Sequence, residues 1–516
     1  MPMQIRQFVL PLSRRISHYT PNPSHYIFHH HHSSPIQFLP SLLPLISSSP
    51  SMATRILLPI FLLSLLLSMA VGTQPSETSQ SETGRPQLKE LKVSRPSRKI
   101  KSDGGLTELF DPNENQFQFV GAVVLKNTLK PKTLSLPNFH PAPRLVYIER
   151  GRGLLGITYP GCPETYHSET STGGREANEK KEKESGSIKR DQHQKVHRVK
   201  QGDIVLLQSG VTHFCLNDGD EDLVAVSVND LDNENNQLGR RFRAFYLAGG
   251  VPKGQRESEE DHEPFQNIFR ELNAELLAEV YDTSVEIIKQ MQDEENDLGL
   301  IVKVPEGIKV IRPSEQEQDE EGKEDTVPEK QNGLEEASCT TKINQNIDKP
   351  KDAYIYAKKA GRLNVVNENT LPILRLADMS AEKLDLLPNA LLAPHYTMNS
   401  HTIGYVTKGN AHIQIVDYNG KIALNETLRR GEVFVIPQLF VSILKAGKRG
   451  FEGMFFKTSS RPMVSSLAGY GSILRGLPLQ VITNSYQISP NDAQEVKQNR
   501  KYEHLLLSPS PRHSSS

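Results

Sequence analysis

LVYIERGRGLLGITYPG (Leu145–Gly161) and IGYVTKGNAHIQIVDYNG (Ile403–Gly420) align on their glycines, placing Gly151 against Gly409. Further along, QGDIVLLQSGVTHF (Gln201–Phe214) matches RGEVFVIPQLFVSI (Arg430–Ile443), placing Gly202 against Gly431. The chain therefore carries one unit twice. The offsets are 258 residues in the first pair and 229 in the second, so the first copy holds 29 extra residues between its blocks. They fall within ETYHSETSTGGREANEKKEKESGSIKRDQHQK (Glu164–Lys195), polar and nearly free of large apolar side chains, a composition that predicts a disordered surface insert.

Each copy contains short runs rich in β-branched and aromatic residues, such as IVLL, LVAVSV, VFVI and GMFFK, separated by Gly, Pro and Asn-Asp-Gly turns. That spacing is the signature of an all-β sandwich or barrel. Alternation in AHIQIVDY (Ala411–Tyr418) predicts a strand with one buried face. Helical patterns follow each copy. Phe265, Ile268, Phe269, Leu272, Leu276 and Val280 stand at three- and four-residue spacings, predicting a helix over Phe265–Tyr281. Thr283 and Glu286 then form a capping-box pattern before VEIIKQM, predicting a second short helix. The second copy ends with SILRGL (Ser472–Leu477) and SPNDAQEVKQNR (Ser489–Arg500), where Ser489 caps, Pro490 suits the first helical position and Asp492 complements the dipole. Such apolar arms have surface to bury, either against their own barrel or against a neighbouring copy.

At 516 residues the chain exceeds one ordinary core, and its net charge of −1 argues against nucleic-acid binding through bulk positive charge. The neutrality hides an asymmetry: residues 73–332 carry 34 Lys+Arg against 46 Asp+Glu, whereas residues 333–516 carry 22 against 15. The change of sign falls at QNGLEEASC (Gln331–Cys339), just after the acidic run SEQEQDEEGKEDTVPEK. On local grounds Asn332-Gly333 is a tight turn or a processing site. At the other end, MATRILLPIFLLSLLLSMAVG (52–72) has one Arg, an apolar run and small residues near Ala70 and Gly72, the pattern of a secretory signal rather than a membrane span. Residues 1–51, with the run His29–His32, have no periodicity and read as leader or disordered extension. Three cysteines, Cys162, Cys215 and Cys339, leave one thiol over after any pairing, and none are spaced for zinc.

These blocks resemble the legumin-type (11S) seed storage globulins, which are two-domain cupins. RPSRKIKSDGGLTELFDPNENQF (Arg95–Phe117), ERGRGLLGITYPGCPETY (Glu149–Tyr166), QKVHRVKQGDIV, HFCLNDGDEDLVAVSV and NQLGRRFRAFYLAGG follow in family order. After NGLEEASC come LPNALLAPHYTMNSHTIGYVTKG (Leu387–Gly409), EVFVIPQLFV, FEGMFFKTS and LAGYGSILRGLP. The resemblance implies a double cupin, two β-jelly-roll barrels each with a short helical arm. It implies a seed storage protein, trimeric as a precursor and hexameric after cleavage, delivered through the secretory pathway to the protein storage vacuole. It implies cleavage between Asn332 and Gly333 by a vacuolar asparaginyl endopeptidase, with the acidic and basic chains joined by a Cys162–Cys339 disulfide. It implies no catalytic residue, no cofactor, no nucleic-acid partner and no membrane in the mature form. Where the family has a further disulfide near its amino terminus, this chain has Pro86 and Phe119, and it has no Trp. Cys215 is left as a small buried strand residue.

The rival class is a metal-dependent cupin enzyme, whose His and carboxylate ligands must converge on one ion. Aligned on Gly151, the first three ligand positions read Phe139, Pro141 and Arg144; against Gly409 they read Thr397, Asn399 and Thr402. The fourth reads His213 and Ser442, so one ligand type of eight remains, with His140 and His395 nearby. No metal site is expected. Asn425-Glu426-Thr427 is a glycosylation sequon placed between predicted strands. The organisation expected is then a first barrel over 73–264 with its insert at 164–195, an arm over 265–312 and an acidic disordered linker over 313–332. A second barrel over 333–466, an arm over 467–503 and a disordered tail over 504–516 complete it.

Overall fold

The computed structural model describes residues 87–164, 166–167, 192–256, 264–292, 299–308 and 339–510. The stretches expected to be leader (1–51), signal (52–72) and acidic linker with Asn332-Gly333, most of the 164–195 insert, and the last six residues lie outside them.

The first copy folds into two facing sheets, antiparallel except where Gln266–Asn267 pairs in parallel with Phe245–Tyr246. One runs, neighbour by neighbour, through Arg98–Ser102, Gly105–Leu109, Ala122–Leu129, Leu223–Asp230, Arg144–Arg150, Asp203–Leu207 and Asn344–Asn346. The other runs through Gln266–Asn267, Phe245–Tyr246, Thr133–Phe139, Thr212–Asn217, Arg152–Thr158 and Val196–Lys200. Alternate side chains such as Ile148, Val205 and Leu207 from one sheet and Leu155 and Val199 from the other enclose the core between them.

The second copy repeats the plan with its strands unbroken, so Thr402–Val416 and Val441–Lys457 pass through both layers. The aligned glycines mark where the chain turns from one sheet to the other. Gly151 has φ 83° and Gly409 φ 71°, and a Cβ would lie 2.6 Å from the Asp222 carbonyl oxygen at the first and 2.1 Å from that of Gly450 at the second. Only glycine allows both the positive φ and the close backbone approach. Ala411–Val416 alternates as expected, with Ala411, Ile413 and Ile415 buried.

Each barrel takes an edge contact from the segment that leads into the other. Asn344–Asn346, ahead of the second barrel, pairs with Asp203–Val205 of the first. Ser94, ahead of the first, exchanges backbone hydrogen bonds of 2.8 and 3.0 Å with Val433 of the second. The repeat-related Tyr147 and Tyr405 face each other's barrels. Lys383 Nζ donates to the Tyr147 hydroxyl at 3.1 Å, and the Tyr405 hydroxyl donates to Glu149 at 2.9 Å.

The first arm starts later than its apolar spacing predicts. Phe265 has φ 73° and is buried against Phe242 and Tyr246, and Gln266–Asn267 pairs with Phe245–Tyr246, so the helix is Ala274–Tyr281. It begins where Asn273 supplies a side-chain acceptor to the Leu276 N–H at 2.7 Å, the capping requirement that periodicity ignores. The next helix, Val285–Gln292, is capped by Ser284 and not Thr283. The Thr283 N–H is already committed to the Ala278 carbonyl, which closes the preceding helix around Asp282 in the left-handed region. In the second arm, Ser489 caps Pro490–Gln498 as expected and Ser472 caps Ile473–Gly476. Between them Leu479–Tyr486 is a further helix that the β-branched, Asn- and Ser-containing LQVITNSY does not announce; Ile482 anchors it in the interior.

Candidate functional site

Cys162 follows the Arg152–Thr158 strand in a turn closed by its N–H to the Tyr159 carbonyl, 3.3 Å. Gln194 clamps that turn: its Oε1 accepts from the Tyr159 N–H at 2.8 Å, and its Nε2 donates to the carbonyls of Tyr159 and Cys162, both at 2.9 Å. The sequence held no sign of this role, because Gln194 lies near the end of the stretch 164–195 whose polar composition predicts disorder. Cys162 is disulfide-bonded to Cys339, with Cα atoms 5.6 Å apart across a sequence separation of 177.

Beyond Cys339 the chain is built into the first barrel. Ile343 and Ile347 are buried in the core on either side of Asn344–Asn346. The Leu206 N–H donates to the Ile343 carbonyl at 3.0 Å, and the Ile347 N–H to the Gly202 carbonyl at 2.8 Å. Asp203 gathers the polar side of the strand, accepting from Asn346 Nδ2 at 2.8 Å and from the Lys200 N–H at 2.9 Å. Burial is the largest influence on its carboxyl and raises the pKa above the usual value despite these donors. Before the linker, the described chain ends at Ile308, packed beside Leu154 and Val196. Asn332 and Gly333 themselves lie outside the described residues, between these two anchored ends.

The barrel interiors hold cations where a metal enzyme would hold its ion. In the first barrel Arg144 is buried, its Nε donating to Asn229 Oδ1 at 3.1 Å and its Nη2 to His140 Nδ1 at 3.3 Å. His140 Nε2 lies 3.0 Å from Asn138 Oδ1, and its Nδ1 is also 3.2 Å from the Arg243 carbonyl. His140 and His213 stack at 5.9 Å. Burial, and then the Arg144 charge, push His213 down to about 3 and His140 well below the ordinary histidine range. Phe139 points away from this group and stacks on Phe245 at 5.0 Å. In the second barrel Lys457 Nζ donates to Thr397 Oγ1 at 3.1 Å and Thr402 Oγ1 at 3.3 Å, and lies 3.5 Å from Glu382. His395 is buried there with Nδ1 2.9 Å from the Ala393 carbonyl, and burial pushes it down to about 4. A fixed ammonium or guanidinium opposes a second cation at the same point. Among the described residues, no three His, Cys, Asp or Glu side chains are grouped to hold a metal.

Cys215 lies on the Thr212–Asn217 strand and is partly buried rather than fully buried as expected; desolvation, then Asp218, raises its thiol to about 12. Asn425 is inside a strand, Ile422–Arg429, and not between strands as the turn pattern suggested. Its side chain is nevertheless exposed, on the solvent face that alternates with buried Leu424 and Leu428.

A cupin domain profile matches residues 91–251 and 345–494, one span for each barrel. The chain is 48% identical over 457 residues to 11S globulin seed storage protein 2 of Sesamum indicum, covering 88% of this chain and 99% of the relative. The recombinant pro-11S globulin of pumpkin superposes with a TM-score of 0.71 at 35% identity, covering 82% of this chain and all of the pumpkin chain. The coconut allergen cocosin superposes with a TM-score of 0.70 at 35% identity, covering 81% and 98%. These relatives match both barrels, covering 81–88% of this chain and 98–100% of their own length. The chain belongs to the cupin family and, within it, to the 11S seed storage globulins.

Proposed function

We propose that this storage globulin is laid down as a precursor and cut between Asn332 and Gly333 by an asparaginyl endopeptidase of the protein storage vacuole, which it reaches by the secretory route. The observation that carries the reading is the bonding of Cys339 to Cys162, followed by a strand seated in the first barrel. A cut in the preceding segment then leaves the acidic and basic chains joined covalently and by packing. The protein acts as a reserve of nitrogen and carbon and catalyses no reaction, needing neither cofactor nor metal.

Assembly into trimers, and hexamers after the cut, is supported by the arms. Leu272, Leu276 and Val280 of the first arm and Val481, Tyr486 and Val496 of the second are exposed on the single chain, an apolar surface suited to a neighbouring globulin subunit. Asn425, exposed on its strand, is a site for N-glycosylation in that secretory route. Seed protein run on denaturing gels tests the central point. One band near full mature length without reductant, resolving into two with it, supports the reading; an unchanged single band refutes it.

A further inference from the structure

We propose that the interior of the first barrel binds a small monovalent anion, a halide or a carboxylate of one or two carbons, between the guanidinium of Arg144 and the hydroxyl of Ser227. Arg144 has two acceptors, Asn229 Oδ1 and His140 Nδ1, and both are neutral. Its Nη1 donors have no acceptor among the described residues, and no carboxylate pairs with it there. Every other titratable side chain that faces it from the surrounding strands, His140, His213, Cys215 and Tyr246, is kept uncharged by burial. The guanidinium itself, though lowered to about 10, remains charged at neutral pH. A buried cation without a counter-charge is a costly arrangement, and proteins relieve it with a paired anion.

Ser227 is the second, independent observation. It lies on the Leu223–Asp230 strand, opposite Val146 and therefore two residues along from the Asn229–Arg144 pair, on the same inward face. Its hydroxyl is buried and has no hydrogen-bond partner. Both side chains line a cavity of about 70 Å³, together with Asn138, His213, Cys215 and Tyr246. That volume is well below the several hundred Å³ of a pocket for a drug-sized ligand, so the occupant is an ion or a very short acid.

The second barrel shows what the first one lacks. There Thr402 stands at the position of Arg144, and the buried cation beside it, Lys457, has Glu382 within 3.5 Å. The same fold thus supplies one interior cation with a built-in carboxylate and leaves the other facing an unpartnered hydroxyl and a cavity.

Crystals of the wild-type protein soaked in sodium bromide test the proposal by anomalous diffraction. The expected result is a bromide peak in hydrogen-bonding contact with the Arg144 Nη atoms and Ser227 Oγ; bromide on the outer surface with none in the barrel overturns it. In solution, thermal unfolding is followed against sodium formate and against sodium gluconate, an anion too large for the cavity, at matched ionic strength. Formate is expected to raise Tm beyond gluconate. Ser227→Ala is expected to weaken the apparent formate affinity about tenfold, the loss of one charge-assisted hydrogen bond, and Arg144→Met to abolish the difference. Identical formate and gluconate curves in the wild type, or an unchanged formate effect in Ser227→Ala, overturn it, and both readings are available even if Arg144→Met does not fold.

Discussion

Asn346, seven residues beyond Cys339, donates from Nδ2 to the Asp203 carboxylate at 2.8 Å. Asp203 opens the strand Asp203–Leu207 of the first barrel, so this bond ties the part of the chain carboxyl-terminal to the linker into the amino-terminal core. The disulfide is therefore not the sole link between the two halves. After cleavage and reduction under native conditions, the two chains are expected to co-elute on size exclusion. Ile343→Asp, which places a charge at a fully buried position, is expected to let them separate.

Removing the disulfide has a separate effect in the uncut chain. A bond across 177 residues restricts the unfolded ensemble by ~5 kcal/mol on the chain-entropy estimate, an upper figure where the unfolded chain keeps structure. Cys339→Ser in the precursor is expected to lower the urea midpoint substantially with little change in far-ultraviolet circular dichroism.

The corner glycines make a paired prediction. Gly409→Ala meets both a φ of 71° and a backbone oxygen at 2.1 Å, whereas Gly420→Ala meets a φ of 72° with nothing within 4 Å. Gly420→Ala should cost about 1–2 kcal/mol, the left-handed penalty alone. Gly409→Ala should cost more than this, and the difference, read from urea unfolding, isolates the close approach where the strand changes sheets.

Acid stability follows from buried imidazoles. Burial is the first cause of the lowering of His197 to about 4, His213 to about 3 and His395 to about 4, from an unfolded value of 6.5. Unfolded imidazoles take up protons as pH falls through 6.5, while the folded ones stay neutral until near 4 or 3. The unfolded state therefore binds more protons in that window, so stability is whole above pH 6.5 and lost as pH falls below it. Each histidine contributes a slope of up to about 1.4 kcal/mol per pH unit. Urea midpoints between pH 7 and 4 should fall accordingly, and His197→Gln should flatten the curve.

Alkaline behaviour has the opposite sign. Burial raises Tyr159 and Tyr246 to about 12 and Tyr405 beyond that, the last also through Glu149. Unfolded tyrosines release their protons near pH 10, so stability is whole below that and lost above it as the folded hydroxyls hold on. Ultraviolet titration should show these phenols ionising only together with unfolding. Tyr405→Phe, which leaves Glu149 Oε2 without its donor, should cost about 1–2 kcal/mol at neutral pH.

Much of this molecule is written in short-range pattern. Gly151 and Gly409 anchor the repeat in the sequence, and the positive φ that each takes is a property of one residue; Ala411–Val416 announces its buried face because alternation is a property of six. Ser489, Pro490 and Asp492 likewise declare a helix start within four residues. The pairing of Cys162 with Cys339 was an expectation from family resemblance, and the geometry now shows it directly.

Other features were decided only when distant segments met. The helix predicted from Phe265 begins at Ala274 because Phe265 and Gln266–Asn267 are claimed by the strand Phe245–Tyr246, a competition that no local period records. Gln194 became the clamp of the Cys162 turn, and Asn344–Asn346 the edge of the first barrel, across separations that only the closed fold bridges. Arg144 reads in the sequence as a non-ligand at an aligned metal-ligand position; the fold removes its water and brings no carboxylate beside it among the described residues. Side-chain type and local spacing thus set where the chain bends and which faces are apolar. Which polar groups end up buried together depends on long-range closure, because desolvation is a property of the assembled interior and not of any single stretch of chain.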